Sequence, residues 1–225
     1  MSVFRDKALQ LKQDLDDVYS AGYEKGKSEG GGDEILFTSH GNMYKRNMII
    51  DIDAGDGFYA YAYRYAKEME TLSVPNLIAN YTATNGVFEG CSKLKSVYMP
   101  NIQRLGLNFF NDCPLLEEIT LGTTSNPMQH ASINSFYRCP SLVNFNYIGV
   151  LPVTITFEHS VKLNATSIKT IINSLSGSAT GQTLTLSLAA VNKAFETSEG
   201  ANDGSTTSTW NYLANVKQNW TITLQ

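Results

Sequence analysis

The residues best suited to holding a metal ion are three aspartates, Asp51, Asp53 and Asp56, which lie close together beside a glycine turn. Carboxylates spaced in this way are typical of calcium loops, because Ca²⁺ binds oxygen ligands. An EF-hand, however, would need an oxygen ligand where Gly55 stands and a glutamate where Ala62 stands. A strand that ends in a tight Asp-Gly turn explains the same residues. We therefore expect no metal ion at this turn, with calcium as the alternative.

The other residues that could take part in catalysis are scattered. None of the three histidines, His40, His130 and His159, belongs to a motif with the spacing of metal ligands. The sequence also lacks the G-x-S-x-G, H-E-x-x-H, P-loop and C-x-x-C patterns. We therefore expect surface or loop histidines, no catalytic residues, no cofactor and no enzymatic activity.

The three cysteines occupy one position of an internal repeat, which is the strongest pattern in the chain. The motif Phe-x-x-Cys-x-x-Leu occurs three times, and apolar residues follow three and five positions after each Leu. An earlier copy at Met69 and Leu72 lacks the Phe and the Cys. The predicted core positions are Phe88, Cys91, Leu94, Phe110, Cys113, Leu116, Phe136, Cys139 and Leu142.

A repeat of 22 to 26 residues with this pattern predicts a solenoid, in which each coil supplies a short strand and a return arm. Alternate strand residues point inward and stack on those of neighbouring coils. The Phe and Cys are expected on the return arm, where Cys behaves as a small apolar side chain. We predict three buried free thiols, because a disulfide or a metal site would require the sulfur atoms to converge; since equivalent positions of adjacent coils lie about 5 Å apart, a bridge between two of the cysteines is the alternative. The predicted inward residues are Val97, Met99, Ile119, Leu121, Phe145 and Tyr147.

The outward side of the same strands is the candidate binding surface. Repeat proteins commonly bind partners through such a face. Small hydroxyl and amide side chains with one Tyr suit a glycan or a protein surface, and an ordinary solvated sheet face is the alternative. The candidate binding residues are Ser73, Ser96, Tyr98, Glu118, Thr120, Asn144 and Asn146, with Thr71 beside Ser73.

The repeat motif, with a Pro after the strand and the stretch 105–110 before a Cys, resembles the BspA-type leucine-rich repeat family. The resemblance covers roughly residues 67–150. Members of that family are bacterial surface proteins and proteins encoded by phages and prophages of gut bacteria. The resemblance implies a binding scaffold that performs no chemistry.

Residues 1–34 form a separate N-terminal segment. Apolar residues recur there at alternating intervals of four and three, which predicts a helix with a heptad stripe. So short a helix needs a partner surface, and three consecutive glycines then make a flexible joint. We predict an attachment or oligomerisation device with a trimer favoured; a helix packed on its own domain is the alternative. The heptad positions are Phe4, Ala8, Leu11, Leu15 and Val18.

Residues 35–66 are predicted to form a small β-meander with strands at 35–37, 48–52 and 58–63. Tyrosines alternate in the last of these strands, so they would share one strand face. An exposed row of tyrosines suits contact with a sugar or a protein, and a buried core or subunit contact is the alternative. The row consists of Tyr59, Tyr61, Tyr63 and Tyr65.

Residues 158–225 alternate between helix-like and strand-like stretches, which we interpret as αβ coils that close the solenoid. Thr166 and Ser167 are predicted to cap a helix over 168–175. Strands at 183–187 and 220–224 and helices at 189–195 and 210–217 are expected to follow. This Ser/Thr/Asn-rich segment, like residues 18–27, resembles parts of phage structural proteins from gut bacteria.

Composition and charge exclude several classes of protein. With 17 Lys and Arg against 21 Asp and Glu, the net charge of −4 argues against a nucleic-acid binder. Asn, Ser and Thr together number 59 of the 225 residues, as is usual for β-rich repeat proteins. No apolar run is long enough to span a membrane, and the N-terminal segment lacks the apolar stretch of a secretory signal. We therefore expect neither membrane insertion nor secretion by that route.

These patterns together predict a β-rich α/β solenoid, with leucine-rich repeat coils at 67–157 and αβ closing coils at 158–225. The N-terminal helix of 1–34 and the β region of 35–66 precede the coils. The expected function is that of a non-enzymatic phage virion protein: a tail spike or fibre, a decoration protein or a host-binding module. Its expected partners are other virion proteins and a host surface protein or glycan. A BspA-like adhesin on a bacterial cell surface is the alternative.

Overall fold

The computed structural model of the chain describes residues 35–37, 43–50, 58–76, 85–123, 125, 128–132, 134–195 and 218–225. Four predictions fall on other residues: the N-terminal helix, the surface or loop position of His40, the aspartates of the candidate calcium turn and the helix at 210–217. The heptad positions Phe4, Ala8, Leu11, Leu15 and Val18 therefore lie outside the described residues.

Short strands dominate the described part of the chain, and two helices lie near its C-terminal end. The helices are α1 (Ala165–Ser174) and α2 (Leu188–Ala194). The strands are, in chain order, β1 (Ile35–Phe37), β2 (Met43–Lys45), β3 (Asn47–Ile49), β4 (Thr71–Ser73), β5 (Ser96–Met99), β6 (Arg104–Leu105), β7 (Glu118–Leu121), β8 (His130–Ala131), β9 (Asn144–Tyr147), β10 (Ile155–Phe157), β11 (Gln182–Leu186) and β12 (Trp220–Leu224).

Five parallel strands form the main sheet, in the order β3-β4-β5-β7-β9. Each coil contributes one strand, and the coils together make a β-solenoid of about five turns. Val97 lies between Leu72 and Ile119, and Ile119 in turn pairs with Phe145. All four side chains are buried, because alternate residues of each strand point into the coil. This column buries apolar surface that a single coil could not bury alone.

On the return arms, five stacked aromatic rings form what we call the aromatic ladder. Neighbouring ring centroids are 5.2 to 5.9 Å apart, and the angles between ring planes are 5° to 17°. Aromatic pairs of this kind contribute about 0.5–1.5 kcal/mol beyond the burial of their surface. The sequence analysis missed the first and last members because Ala66 and Ser160 replace the cysteine of the motif. The ladder consists of Tyr63, Phe88, Phe110, Phe136 and Phe157.

Each cysteine thiol forms a hydrogen bond that links its own return arm to the return arm of the preceding coil. The thiol of Cys113 donates to the carbonyl oxygen of Phe88 at 3.2 Å, and that of Cys139 donates to Phe110 at 3.1 Å. Cys91 does the same to Tyr63 at 3.4 Å. All three cysteines are free and buried. Cysteine suits this position because it packs as a small apolar group and still supplies a weak donor to a buried carbonyl.

Helix α1 covers the edge of the main sheet at β9. The hydroxyl of Ser167 accepts from the amide of Phe145 at 2.9 Å and donates to the carbonyl of Val143 at 3.0 Å. Asn164 is the N-cap, and its side chain accepts the amide of Ser167 at 2.8 Å. The predicted cap at 166–167 is therefore wrong, since Ser167 lies inside the helix and satisfies the backbone of the last strand instead.

Strands β10, β11 and β12 form a second parallel sheet. Leu184 and Leu186 of its middle strand are buried, whereas Thr183 and Thr185 on the opposite side are half-buried. Residues 196–217, which connect α2 to β12, lie outside the described part, so closure of the solenoid by αβ coils stays a prediction. Within the described ranges, no helix has the length and apolar character needed to cross a bilayer.

The structure corrects the predicted β-meander at 35–66. β1 and β2 pair antiparallel, but β3 joins the main sheet parallel to β4. Residues 58–65 form no strand and consist largely of turns, so the tyrosines do not share a strand face. Tyr63 enters the aromatic ladder, while Tyr61 and Tyr65 on either side have left-handed backbones, with φ of 62° and 60°. The alternation of tyrosines reflects this turn geometry, not the pleat of a strand.

Candidate functional site

The side chains that point away from the core of the main sheet form two columns, which we call the outer strand face. One-to-one pairing of the parallel strands sets the columns, so their members lie about 5 Å apart across the sheet. All ten side chains are exposed or half-buried. The first column contains Asn47, Thr71, Ser96, Glu118 and Asn144; the second contains Ile49, Ser73, Tyr98, Thr120 and Asn146.

The structure brings the seven candidate binding residues together on this face, and it adds two that the sequence analysis missed. Asn47 and Ile49 extend the columns through β3. They were missed because β3 has no Phe-x-x-Cys-x-x-Leu motif before it. The sequence analysis predicted a strand at 48–52 but assigned it to a separate meander, and the alternation of Met48 and Ile50 is the signal that it could continue the inward pattern of the repeat strands.

Tyr98 is the aromatic side chain of the outer strand face, and 47% of it is exposed. Its neighbours in register, Ser73 and Thr120, have short side chains, so the phenol ring is not covered by the strands on either side. A ring with a polar tip, surrounded by hydroxyl and amide groups, can pack on an apolar surface and form hydrogen bonds at the same time.

Charged residues along one end of the strands link neighbouring coils. Glu70 accepts from Lys95 at 2.9 Å and from Arg46 at 3.4 Å, and Lys93 pairs with Glu68 at 2.6 Å. The hydrogen bond from Lys95 and its charge hold the pKa of Glu70 below its ordinary value. These pairs are exposed to solvent, so each contributes little to stability. They join the acidic side chains of one coil to the basic side chains of the coils on either side.

A second group of polar and aromatic side chains lies beside the start of the aromatic ladder. The guanidinium of Arg64 lies 5.1 Å from the ring centroid of Tyr61 and 4.8 Å from that of Tyr65, which is cation–π distance. Nε of Arg64 is 2.9 Å from Oε2 of the buried Glu89. The amide of Asn111 donates to Oε1 of Glu89 at 3.2 Å. Side chains from three successive coils therefore hold one another in place.

The two tyrosine rings of this group lie against glycines of the next coil. A Cβ atom on Gly86 would be 2.6 Å from the ring of Tyr61, and one on Gly90 would be 2.3 Å from the ring of Tyr65. Both glycines have positive φ, of 56° and 71°. Glycine is thus required at these positions for two reasons, the backbone conformation and the space that the ring occupies.

A groove with a volume of about 650 Å³ opens beside Tyr65, and we call it the Tyr65 groove. Its lining comes from β2 and from three successive coils of the solenoid. The sequence analysis did not predict it, because its members are far apart in sequence and meet only when the coils stack. The lining residues are Tyr44, Tyr65, Lys67, Gly90, Ser92, Asp112 and Pro114.

Other titratable residues of the described part lie either in the core or at the surface. Burial raises the pKa of the Cys113 thiol well above its usual range and that of Cys139 to about 12, so both stay protonated at neutral pH. His130 is exposed, and His159 lies 3.2 Å from Glu158. Among the described residues, no three His, Cys, Asp or Glu side chains are grouped closely enough to hold a metal ion.

Comparison with known proteins gives one match. A family model for the BspA type leucine rich repeat region, with six copies, matches residues 57–179, which is more than half of the chain. No curated protein and no solved structure matches the chain. The matched region contains the whole aromatic ladder, from Tyr63 to Phe157, and all three cysteines. The chain therefore belongs to the BspA-type leucine-rich repeat family.

Proposed function

We propose that this protein is a non-enzymatic binding scaffold that contacts a protein or a glycan through the outer strand face. The observation that carries this proposal is the register of five parallel strands, which presents ten side chains at regular spacing. The buried core behind them is continuous, so the sheet is ordered before a partner binds and the entropy lost on binding comes from the exposed side chains. Membership of the BspA-type family agrees with a scaffold role.

The chemistry of the face favours a partner with both polar and apolar groups. Tyr98 and Ile49 supply exposed apolar surface, Thr120 supplies a hydroxyl next to Tyr98, and Asn146 supplies an amide on the far side of Thr120. Glu118 is the charged side chain among the ten. A mixed surface of this kind suits a protein epitope or a glycan and does not suit nucleic acid, which needs clustered positive charge.

The finer proposal is that the scaffold belongs to a phage virion, as a tail spike or fibre, a decoration protein or a host-binding module. The support is the resemblance of residues 18–27 and 158–225 to phage structural proteins, together with the heptad stripe of residues 1–34. In this proposal the N-terminal helix attaches the protein to other virion proteins or joins copies of it, with a trimer favoured. Family membership also supports a second candidate, an adhesin on a bacterial cell surface.

The outer strand face can be tested with a labelled full-length chain and a panel of gut bacterial cells. The variant Y98A/N146A removes the ring and an amide two strands away from the same column of the face. Y59A is the matched control, because Tyr59 is 85% exposed and lies outside the face. The proposal predicts that cell binding is lost in the double variant and kept in Y59A. Equal binding of all three proteins to every cell type would rule out this face as the binding site.

The virion proposal is tested by the mass of the protein in solution and by its location. Light scattering after gel filtration compares the full chain with a version that lacks residues 1–32. A trimer that becomes a monomer on truncation would support attachment through the N-terminal helix, whereas two monomers would rule out a self-assembling spike. Immunogold labelling of purified phage particles and of intact cells then separates the virion candidate from the cell-surface one.

A further inference from the structure

The Tyr65 groove is built by the stacking of three successive coils. Tyr65, Gly90 and Asp112 stand at one position of the repeat, two residues after the ladder residue of each coil. Lys67, Ser92 and Pro114 stand two residues further along each coil, and all six line the groove. The groove therefore runs across the coils, along the axis of the solenoid, and the ring of Tyr65 lies against Gly90 in its middle.

One wall of the groove is the ring of Tyr65, whose backbone the fold holds in an unfavourable conformation. Tyr65 has φ of 60°, a conformation that is unusual for a bulky residue and destabilises it by about 1–2 kcal/mol. Its ring contacts Gly90 and the guanidinium of Arg64, and Arg64 is held by Glu89. Even so, 39% of Tyr65 remains exposed. A strained, rigidly supported and exposed ring is typical of a recognition site.

The polar groups of the lining favour an uncharged ligand with many hydroxyl groups. Lys67 supplies donors, the carboxylate of Asp112 supplies acceptors, and the hydroxyl of Ser92 supplies both. The two charges cancel, so the lining does not select for a phosphate or another anion. Pro114 and the ring supply limited apolar surface, which is less than the deep apolar pocket that anchors a peptide side chain.

We propose that the Tyr65 groove binds a neutral hexose or N-acetylhexosamine unit of a glycan. The apolar C–H face of the sugar ring packs on Tyr65, while its hydroxyl groups bond to Lys67, Ser92 and Asp112. The volume of about 650 Å³ lies within the range of small-ligand sites, about 300–1,000 Å³. This site is separate from the outer strand face and does not depend on the function proposed for that face.

Saturation-transfer NMR on the full-length chain tests the proposal with the methyl glycosides of glucose, galactose, mannose, N-acetylglucosamine and N-acetylgalactosamine. Y65N removes the ring and keeps a residue that tolerates positive φ, and Y65F keeps the ring. D112N, with φ of 60° at this position, removes the charge with the same backbone tolerance. R138N is the matched control, because Arg138 has φ of 56° at the equivalent position of a later coil and is not part of the lining.

The proposal predicts that at least one glycoside binds to the native chain, with saturation concentrated on the protons of one sugar face. Y65N is expected to raise its Kd on the order of tenfold, and D112N is expected to weaken it as well, whereas Y65F and R138N leave it nearly unchanged. Circular dichroism confirms that each variant is folded. The proposal is overturned if none of the five glycosides binds, or if Y65N and D112N both bind like the native chain.

Discussion

Two neighbouring return arms, one before β4 and one before β5, have the same backbone conformation and differ in their residues. We call the coils that contain them the first and the second coil. Both have a ladder residue, Tyr63 or Phe88, with left-handed residues two positions before and two positions after it. In the second coil these left-handed residues are Gly86 and Gly90, whereas in the first coil they are tyrosines. Glycine adopts this backbone freely, and tyrosine does not.

The difference shows that the residue at such a position in one coil must fit the residue at the same position in the next coil. The rings of the first coil occupy the space where side chains of the second coil would lie, since a Cβ on Gly90 would be 2.3 Å from the ring of Tyr65. The repeat therefore determines the left-handed backbone at these positions, whereas the residue type varies from coil to coil, with Asp112 and Arg138 at the position of Tyr65 and Gly90. The rings of the first coil leave an exposed aromatic group beside a groove, so the glycan site that we propose lies where the side chains of adjacent coils differ most in size.

The largest expected effect concerns what the two coils share, the aromatic ladder. F88A removes a fully buried ring that stacks on both neighbours, so it is expected to lower the free energy of unfolding by about 3–5 kcal/mol. Y63A is expected to cost clearly less, since Tyr63 is only half-buried and ends the ladder. Urea denaturation monitored by circular dichroism measures both. Equal losses would mean that the first coil is as fully part of the core as the second.

A smaller effect is expected for the positions at which the coils differ. G90A places a side chain at φ of 71°, which costs about 1–2 kcal/mol, and its Cβ also displaces the ring of Tyr65. In a Y65G background the second cost disappears, so the two substitutions are expected to couple by about 0.5–3 kcal/mol. A double-mutant cycle from urea denaturation measures this coupling. Strict additivity would contradict the pairing of residues across coils.

The second coil contains the first of the three cysteines. Ionisation of the buried thiols is expected to lower the free energy of unfolding at alkaline pH. Burial raises the pKa of Cys139 from an ordinary value of 9.0 to about 12, so the folded protein retains a proton that the unfolded chain loses. This contribution is complete below pH 9 and falls as pH rises toward 12, by up to about 1.4 kcal/mol per pH unit.

Urea denaturation of the native chain and of C139A between pH 8 and pH 11 measures this contribution. The loss of stability with rising pH is expected to be less steep in C139A. Parallel curves for the two proteins would show that the Cys139 thiol is accessible to ionisation in the folded state.

The smallest expected effect concerns Ser160, which stands in the last ladder coil where earlier coils carry cysteine. Its hydroxyl is buried and has no hydrogen-bond partner among the described residues, whereas each thiol donates to the carbonyl of the preceding ladder residue. S160C is expected to raise the free energy of unfolding by about 1 kcal/mol, because the cost of an unpaired buried hydroxyl is removed. C139S, the reverse change one coil earlier, serves as the matched control and is expected to destabilise. A loss of stability in S160C would mean that the last coil is too narrow for sulfur.

The repeat and its inward residues could be predicted from the sequence because they follow local spacing. Phe-x-x-Cys-x-x-Leu recurs with the same apolar pattern after it, and periodicity of this kind depends only on which side chains point inward. The candidate residues of the outer strand face follow from the same alternation, as Tyr98 between Val97 and Met99 illustrates. Membership of the repeat family could likewise be inferred from these residues.

Tertiary structure decided what depends on contact between coils. That the alternating tyrosines of 58–65 belong to a turn is determined by stacking on Gly86 and Gly90, which are about 25 residues away in sequence. The contribution of β3 to the outer strand face depends in the same way on pairing with β4. The Tyr65 groove exists only where three coils meet, because its lining residues are more than 20 residues apart from coil to coil and come together only when the coils stack. Local periodicity specifies the coil and most of the outer strand face, whereas packing between unequal side chains of adjacent coils specifies the Tyr65 groove.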